Sequence, residues 1–133
     1  MDTFTISRDV TRSINTNWTT TPIKWENVPF DGALTDAKPF YIIPKMIYNV
    51  TEKLEYGGNG AVNVTGFLSV RLIGRKNVGT GMQQKTANTF AALFAGKVIG
   101  NVHFREATIR EGFEVENRWQ VNIEIPFNEH QTP

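Results

Sequence analysis

The 133-residue chain has no cysteine and only two histidines, His103 and His130. The first absence excludes disulfides, thiolate metal sites and a cysteine nucleophile together. The second leaves poor material for a catalytic triad or a metal centre, since each needs a histidine positioned by a carboxylate. His103 falls in a strand pattern, and His130 in a polar tail, residues 128–133, that is expected to fray. No apolar run approaches roughly 18 residues, so no membrane-spanning helix is expected. The opening MDTFTISRDV has an acid at position two and lacks the apolar stretch of a secretory signal.

Acidic residues are missing from the whole middle of the chain. Between Tyr56 and Arg105 there are none, against six bases: Arg71, Arg75, Lys76, Lys85, Lys97 and Arg105. The stretch Glu106 to Glu129 reverses this, with six acids (Glu106, Glu111, Glu114, Glu116, Glu124, Glu129) and two arginines, Arg110 and Arg118. The net charge of +1 is too balanced to argue for nucleic-acid affinity, but it conceals a segregated distribution.

What is present reads as one α+β domain over 1–133, without repeat or linker. Phe4, Ile6, Val10, Ile14 and Trp18 recur mostly four apart, one apolar stripe of an amphipathic helix that Thr5 or Ser7 would cap. Ile23, Trp25 and Val28 suggest a short strand before the Asp31-Gly32 turn. KPFYIIPKMIYNVTEKLEY is a long strand in which Pro44 marks an edge or a bulge, because it cannot donate to a ladder. GGNG, Gly57 to Gly60, turns it into AVNVTGFLSVRLIG, with Leu68, Val70 and Leu72 on one face and Phe67, Ser69, Arg71 and Ile73 on the other. The two arms predict a hairpin reaching beyond the core. Thr80 and Gln83 form a capping-box pair, Met82, Thr86, Phe90 and Phe94 line a helix face, and Gly96 ends that helix. Trp119, Val121, Ile123, Ile125 and Phe127 alternate with polar residues as a half-buried strand, after a turn at Glu111-Gly112. The expected fold is two helices on a mainly antiparallel sheet with a long hairpin, in the order α-β-β-β-α-β-β.

The segment LIGRKNVGTGMQQK has the strand–glycine–helix layout of a phosphate loop but not its chemistry. Gly74 and Gly79 have Walker spacing, yet Thr80 and Gly81 follow where a lysine and a hydroxyl are needed. No dinucleotide fingerprint is present either. Glu111, Glu114 and Glu116 crowd one region, and a solvated acidic loop is the ordinary form of such a cluster. Trp18, Trp25 and Trp119 sit in apolar periodic patterns, which assigns them to core or interface packing before base stacking. No catalytic residue, cofactor site or metal site is legible.

Four pieces, in this order, carry a family resemblance: Trp18 followed by TPIKWENVPF, the strand TGFLSVRLIG, the helix TANTFAALFAGK, and the closing RWQVNIEIPF. Together they resemble the tail terminator (tail completion) proteins of long-tailed bacteriophages, over about Trp18 to Phe127. The chain departs from that pattern at GRKNVGTG, where Arg75, Lys76 and Asn77 stand in place of a proline before the glycines. The resemblance implies a non-enzymatic virion protein that forms a hexameric ring on the major tail tube protein. Such a ring ends tube polymerisation and offers a surface to the head-completion or neck protein. DNA would pass through its lumen without specific binding. The protein would be assembled in the bacterial host cytoplasm and reside at the neck end of the tail. Candidate subunit and tube contacts are Gly57, Gly58, Asn59 and Gly60, then Arg71, Arg75, Lys76 and Asn77, then Glu111, Glu114 and Glu116. A basic face of one copy would meet an acidic face of the next. The alternatives are a head-closure or neck adaptor ring and, in another class, a nucleic-acid-binding module built on the basic middle section.

Overall fold

The computed structural model describes residues 3–26, 28, 34, 39–53, 62–75, 81–100, 102–110 and 112–131. Its elements are α1 (Thr3–Asn17), β1 (Phe40–Lys53), β2 (Val62–Arg75), α2 (Gly81–Ala92), β3 (Val98–Ile99), β4 (Val102–Phe104), β5 (Thr108–Ile109), β6 (Phe113–Val115) and β7 (Arg118–Gln131). The fold is α+β, with two helices on a curled, mainly antiparallel sheet. Strands run in the order β1-β2-β7-β4-β3, and β5 and β6 also pair with β7. Five strands follow α2 where two were expected. One is the long β7; β4, β5 and β6 are short pieces along its free side, at Phe127–Asn128, Ile123–Glu124 and Arg118–Gln120, and β3 pairs with β4.

The alternation expected of β2 and β7 holds. Leu68, Val70, Leu72, Val121, Ile123, Ile125 and Phe127 are buried on the helix-facing side. They meet Ile6, Val10 and Ile14 from α1 with Trp18 just past its end, and Phe90 from α2 with Phe94 just past its end, one contiguous cluster. A fully buried side chain of this kind contributes about 1.5–3 kcal/mol. Aromatic rings thread the cluster. Trp18 stands edge-on to Phe90 at 5.2 Å, Phe90 meets Phe94 at 5.5 Å, Phe94 meets Phe104 at 5.2 Å, and Phe104 meets Phe127 at 5.9 Å. Tyr48 closes the series on Phe127 at 5.9 Å and 85°. The series ties α1, α2, β4, β7 and β1 together in offset geometries that aromatic quadrupoles favour.

Two glycines let the outer strands make such contacts across β2. Register places Tyr48, Gly66 and Phe127 in one row, and Phe40, Gly74 and Trp119 in another. In both rows a glycine lies between two aromatics, the arrangement in which a ring covers an exposed backbone. A Cβ at Gly66 would run into the Ile47 carbonyl, beside the register shift between Tyr48 and Val50. A Cβ at Gly74 would strike the Phe40 ring and approach the Gln83 amide.

Several expectations need correction. α1 opens at Thr3, so Thr5 and Ser7 lie inside the helix and do not cap it; the Ser7 hydroxyl meets Tyr48 Oη instead. Ile23 forms only an isolated parallel bridge to Ile42. Ile42 N–H donates to Pro22 O at 3.1 Å, and Lys24 N–H to Ile42 O at 2.8 Å. These bonds point the polar groups of Ile42 away from β2. By strand alternation the Pro44 nitrogen faces the same open side, so proline there forfeits no bond to β2. In α2 the inward face is Gln83, Thr86, Ala87, Phe90 and Ala91, while Met82 is 66% exposed. The tail does not fray at 128: β7 runs to Gln131, with Glu129 buried and His130 opposite Asn63. The same pairing flanks the far end of β2, and Val64 there is fully buried, so this part of the hairpin is core and not a projecting arm. A turn that the sequence reading did not name lies at Glu116 and Asn117, whose φ values of 48° and 63° are left-handed. Gly96, at φ 71°, follows α2 as expected. Thr80 and Glu111 lie outside the described residues, and with them the capping partner and the Glu111-Gly112 turn.

Gln83 is the polar exception in this core. Buried to 1%, its Nε2 donates to Leu72 O and to Trp119 O, both at 2.9 Å, so one side chain joins α2 to β2 and β7. Replacing it with methionine keeps the bulk and removes the donor. Gln83→Met should destabilise by about 1–3 kcal/mol, because two buried carbonyls lose their partner. Phe90→Ala should cost more, about 3–5 kcal/mol, through the cavity it leaves. Urea unfolding midpoints at constant slope would check both.

Candidate assembly surface

The face of the sheet turned away from the helices carries the described interface candidates of β2. Arg71 and Arg75 are exposed there. Arg71 stands opposite Ile43 on β1 and Asn122 on β7. Arg75 stands opposite Arg118, two guanidinium side chains on register partners. Like charges placed so are unfavourable unless acids share the neighbourhood. Glu116 does: with Leu34, Arg75, Asn117 and Arg118 it lines a polar depression of about 530 Å³. Glu114 lies on β6 opposite Trp119 and is exposed. Gly57, Gly58, Asn59, Gly60, Lys76, Asn77 and Glu111 lie outside the described residues.

The structure therefore brings Arg75 and Glu116 together, and separates both from Arg71. Charge that is segregated along the chain is partly mixed in space, because the basic β2 lies antiparallel to β7. Arg110 shows a pairing within the acidic stretch itself. Its Nε and Nη2 donate to the two Glu124 carboxylate oxygens at 3.3 and 3.1 Å. That hydrogen bond first, and the Glu124 charge second, raise the Arg110 pKa above its ordinary value. Both groups are solvated, so the pair adds little stability.

A second feature of this face was not legible in the sequence. A groove of about 790 Å³ runs between residues 24–28 and the outer side of β1 and β2. Trp25, Val28 and Ile43 give it apolar walls, and Lys24, Lys45 and Arg71 give it cations. Glu26 is its only acid among the described lining residues, and it holds Lys45 at 3.7 Å. Residues 22–25 are brought to the β1 edge by the Ile23–Ile42 bridge, a contact between residues 19 apart that no local pattern announces.

At the opposite edge of the sheet, the β6–β7 hairpin presents Phe113 at 41% and Val115 at 39% exposure on this same face, next to Glu114 and Glu116 in sequence. Two consecutive left-handed residues at Glu116 and Asn117 match the tight hairpin turn whose twist suits flanking strands. Asparagine tolerates that conformation, so Asn117 was the available sequence signal for it.

His103 is exposed on β4. Among the described residues no group of three or more His, Asp or Glu could hold a metal ion. Ser7, Tyr48 and Glu129 come together where α1, β1 and β7 meet. Burial raises the Tyr48 pKa, the Ser7 hydrogen bond opposes that, and the Glu129 charge raises it further. This grouping faces the core and acts as a tie between layers.

No family model matches the chain, and no curated protein matches it. A solved structure whose designation states no function superposes with a TM-score of 0.72 at 15% identity, covering 100% of this chain and 99% of the other. At that identity the likeness shows a shared fold and nothing of activity or partners.

The Tyr48 shift has a definite sign. The fold favours the protonated phenol, so this stability is full below the ordinary tyrosine value of about 10 and is lost as pH rises through the raised one. Against Tyr48→Phe, the wild-type chain should lose stability more steeply as pH rises above about 10. Parallel unfolding profiles for the two proteins over that range would contradict the assignment.

Proposed function

We infer that the chain is a structural virion protein of a long-tailed bacteriophage, a tail terminator. It assembles as a ring on the end of the tail tube, stops tube polymerisation and presents a surface to the head-completion or neck protein. The observation that supports this reading best is the placement of unlike surfaces at opposite edges of one sheet. A cationic and apolar groove lies at β1, and an acidic and apolar hairpin at β6. A molecule with unlike surfaces on opposite sides is suited to head-to-tail contact, which closes into a ring when the rotation permits. The order of motifs shared with tail terminators supports it too. Trp18, β2, α2 and β7 are the elements that meet in the core.

DNA passage fits the same reading. Several lysines and arginines lining a bore would grip phosphates through counterion release. In this proposal Arg71, Arg75 and Lys76 therefore belong to subunit or tube contacts and stay out of the lumen. The runner-up, a neck adaptor ring, shares the surface logic but acts on the head side of the joint.

Tail length decides between them. In particles assembled without this chain, electron microscopy should show tubes of abnormal, overgrown length. Tails of normal length lying free beside filled heads would assign the protein to head joining. Retention of the purified chain on DNA at low salt, lost steeply as salt rises, would favour the nucleic-acid module.

A further inference from the structure

The floor of the groove beside β1 is built from the outward face of two strands. By register Ile43 stands opposite Arg71, and Lys45 opposite Ser69. Along each strand the side chains that line it are therefore two residues apart, the side-chain period of any extended segment. Residues 24–26 and 28 form the wall, with Trp25 half-buried and Lys24, Glu26 and Val28 exposed. The volume of about 790 Å³ lies within the roughly 300–1,000 Å³ typical of ligand clefts. Because its floor is a face of the sheet and not an edge, the groove is a site apart from edge contact between copies.

Charge in the groove is unbalanced. Lys24, Lys45 and Arg71 line it, and Glu26 is the one acid among the described lining residues. Glu26 lies 3.7 Å from Lys45, and both are well exposed, so water weakens that pair. Among the described residues, neither the Lys24 nor the Arg71 side chain has an ion-pair or hydrogen-bond partner. The Ser69 hydroxyl on the floor also lacks one among the described residues. Beside these donors lies apolar surface from Trp25, Val28, Ile43 and Pro44.

We propose that this groove receives an acidic, partly apolar segment of another protein in extended form. Arg71 takes one of its carboxylates, since a planar guanidinium can hold both oxygens, and the Ser69 hydroxyl is a further donor beside it. Lys24 takes a second. An apolar side chain between the two acids lies against Trp25 and Ile43 and displaces water from them. The lining favours a peptide over a strand of nucleic acid, which binds through successive aromatic platforms and a line of cations. Here there is one aromatic residue, the other apolar walls are aliphatic, and the Glu26 carboxylate would repel phosphate. The site stands apart from the terminator reading. Where that reading holds, the tube and neck proteins are the candidate sources of the segment.

Selection from a random library of peptides about seven residues long, with the full chain as bait, tests it. Enriched sequences should combine carboxylates with apolar side chains, and the strongest, made synthetically, should bind the chain in isothermal titration. Lys24→Glu with Arg71→Glu should weaken that binding at least roughly tenfold, and Arg75→Glu, in the other depression, should change it by less than about twofold. The milder pair Lys24→Gln with Arg71→Gln should weaken it in the same direction. All three positions are exposed, and circular dichroism checks that each variant is folded. Binding should also fall as salt rises, because exposed charges are screened. No enrichment, enrichment of basic or wholly apolar peptides, or unchanged affinity in both groove variants would overturn the proposal. An equal loss in Arg75→Glu would trace the effect to net charge and overturn it too. Tighter binding of a thymidine oligonucleotide of about ten residues, lost on charge reversal, would assign the groove to nucleic acid instead. Self-association of the unliganded chain that the reversal abolishes would assign it to a second copy. Overgrown tails alongside a failed selection would keep the terminator role and remove this site. Normal tails alongside a successful one would keep the site and remove the role.

Discussion

Strand β2 is the constraint on which the rest of the molecule depends. It is paired with β1 on one side and with β7 on the other over nearly all of Val62–Arg75, so its register sets both neighbours. A shift of one residue would turn Leu68, Val70 and Leu72 to the outer face and bring Arg71 into the core. Burial of charge forbids that, and the alternation in this one strand therefore fixes which side the helices cover. Its two glycines add a second requirement. At Gly66 the strand gives up a side chain where Tyr48 of β1 and Phe127 of β7 meet, and at Gly74 the Phe40 ring takes the place a Cβ would occupy. Gln83 then closes the structure over the second of these rows, satisfying a carbonyl on each strand.

The antiparallel pairing of β2 with β7 also governs the electrostatics. A strand carrying Arg71 and Arg75 laid against one carrying Glu124 mixes charge on the shared face, and Arg75 beside Glu116 at its end illustrates it. At the β1 side the balance tips toward base: Lys24, Lys45 and Arg71 line the groove, with Glu26 the one acid among its described lining residues. The β6–β7 hairpin lies at the other edge of the sheet by strand order.

The amphipathic stripe of α1, the alternation of β2 and β7 and the position of Pro44 were legible because each is a local periodicity or a local chemical restriction. Ile6, Val10, Ile14 and Trp18 needed only helical spacing to be assigned to the core. The cap of α1 was misplaced because Thr5 and Ser7 are plausible caps on local grounds, while Ser7 is claimed by Tyr48, 41 residues away. Met82 was placed inward because apolar character outranked Gln83, whose burial depends on two carbonyls supplied by other strands. The polar tail looked disordered by composition, yet β2 offers it a ladder through Val62–Thr65.

Composition and periodicity by themselves determined the α+β class, the helix faces and the inward residues of the long strands, because hydrophobic burial acts through spacing that is visible along the chain. They also determined which charges existed to be arranged. Only the tertiary structure decided where those charges ended up, which of them neutralise one another, and that a groove and an exposed hairpin stand at opposite edges of the sheet. Those outcomes follow from strand order and from a bridge between Ile23 and Ile42, contacts whose cost and reward are non-local and leave no mark in the sequence of either partner.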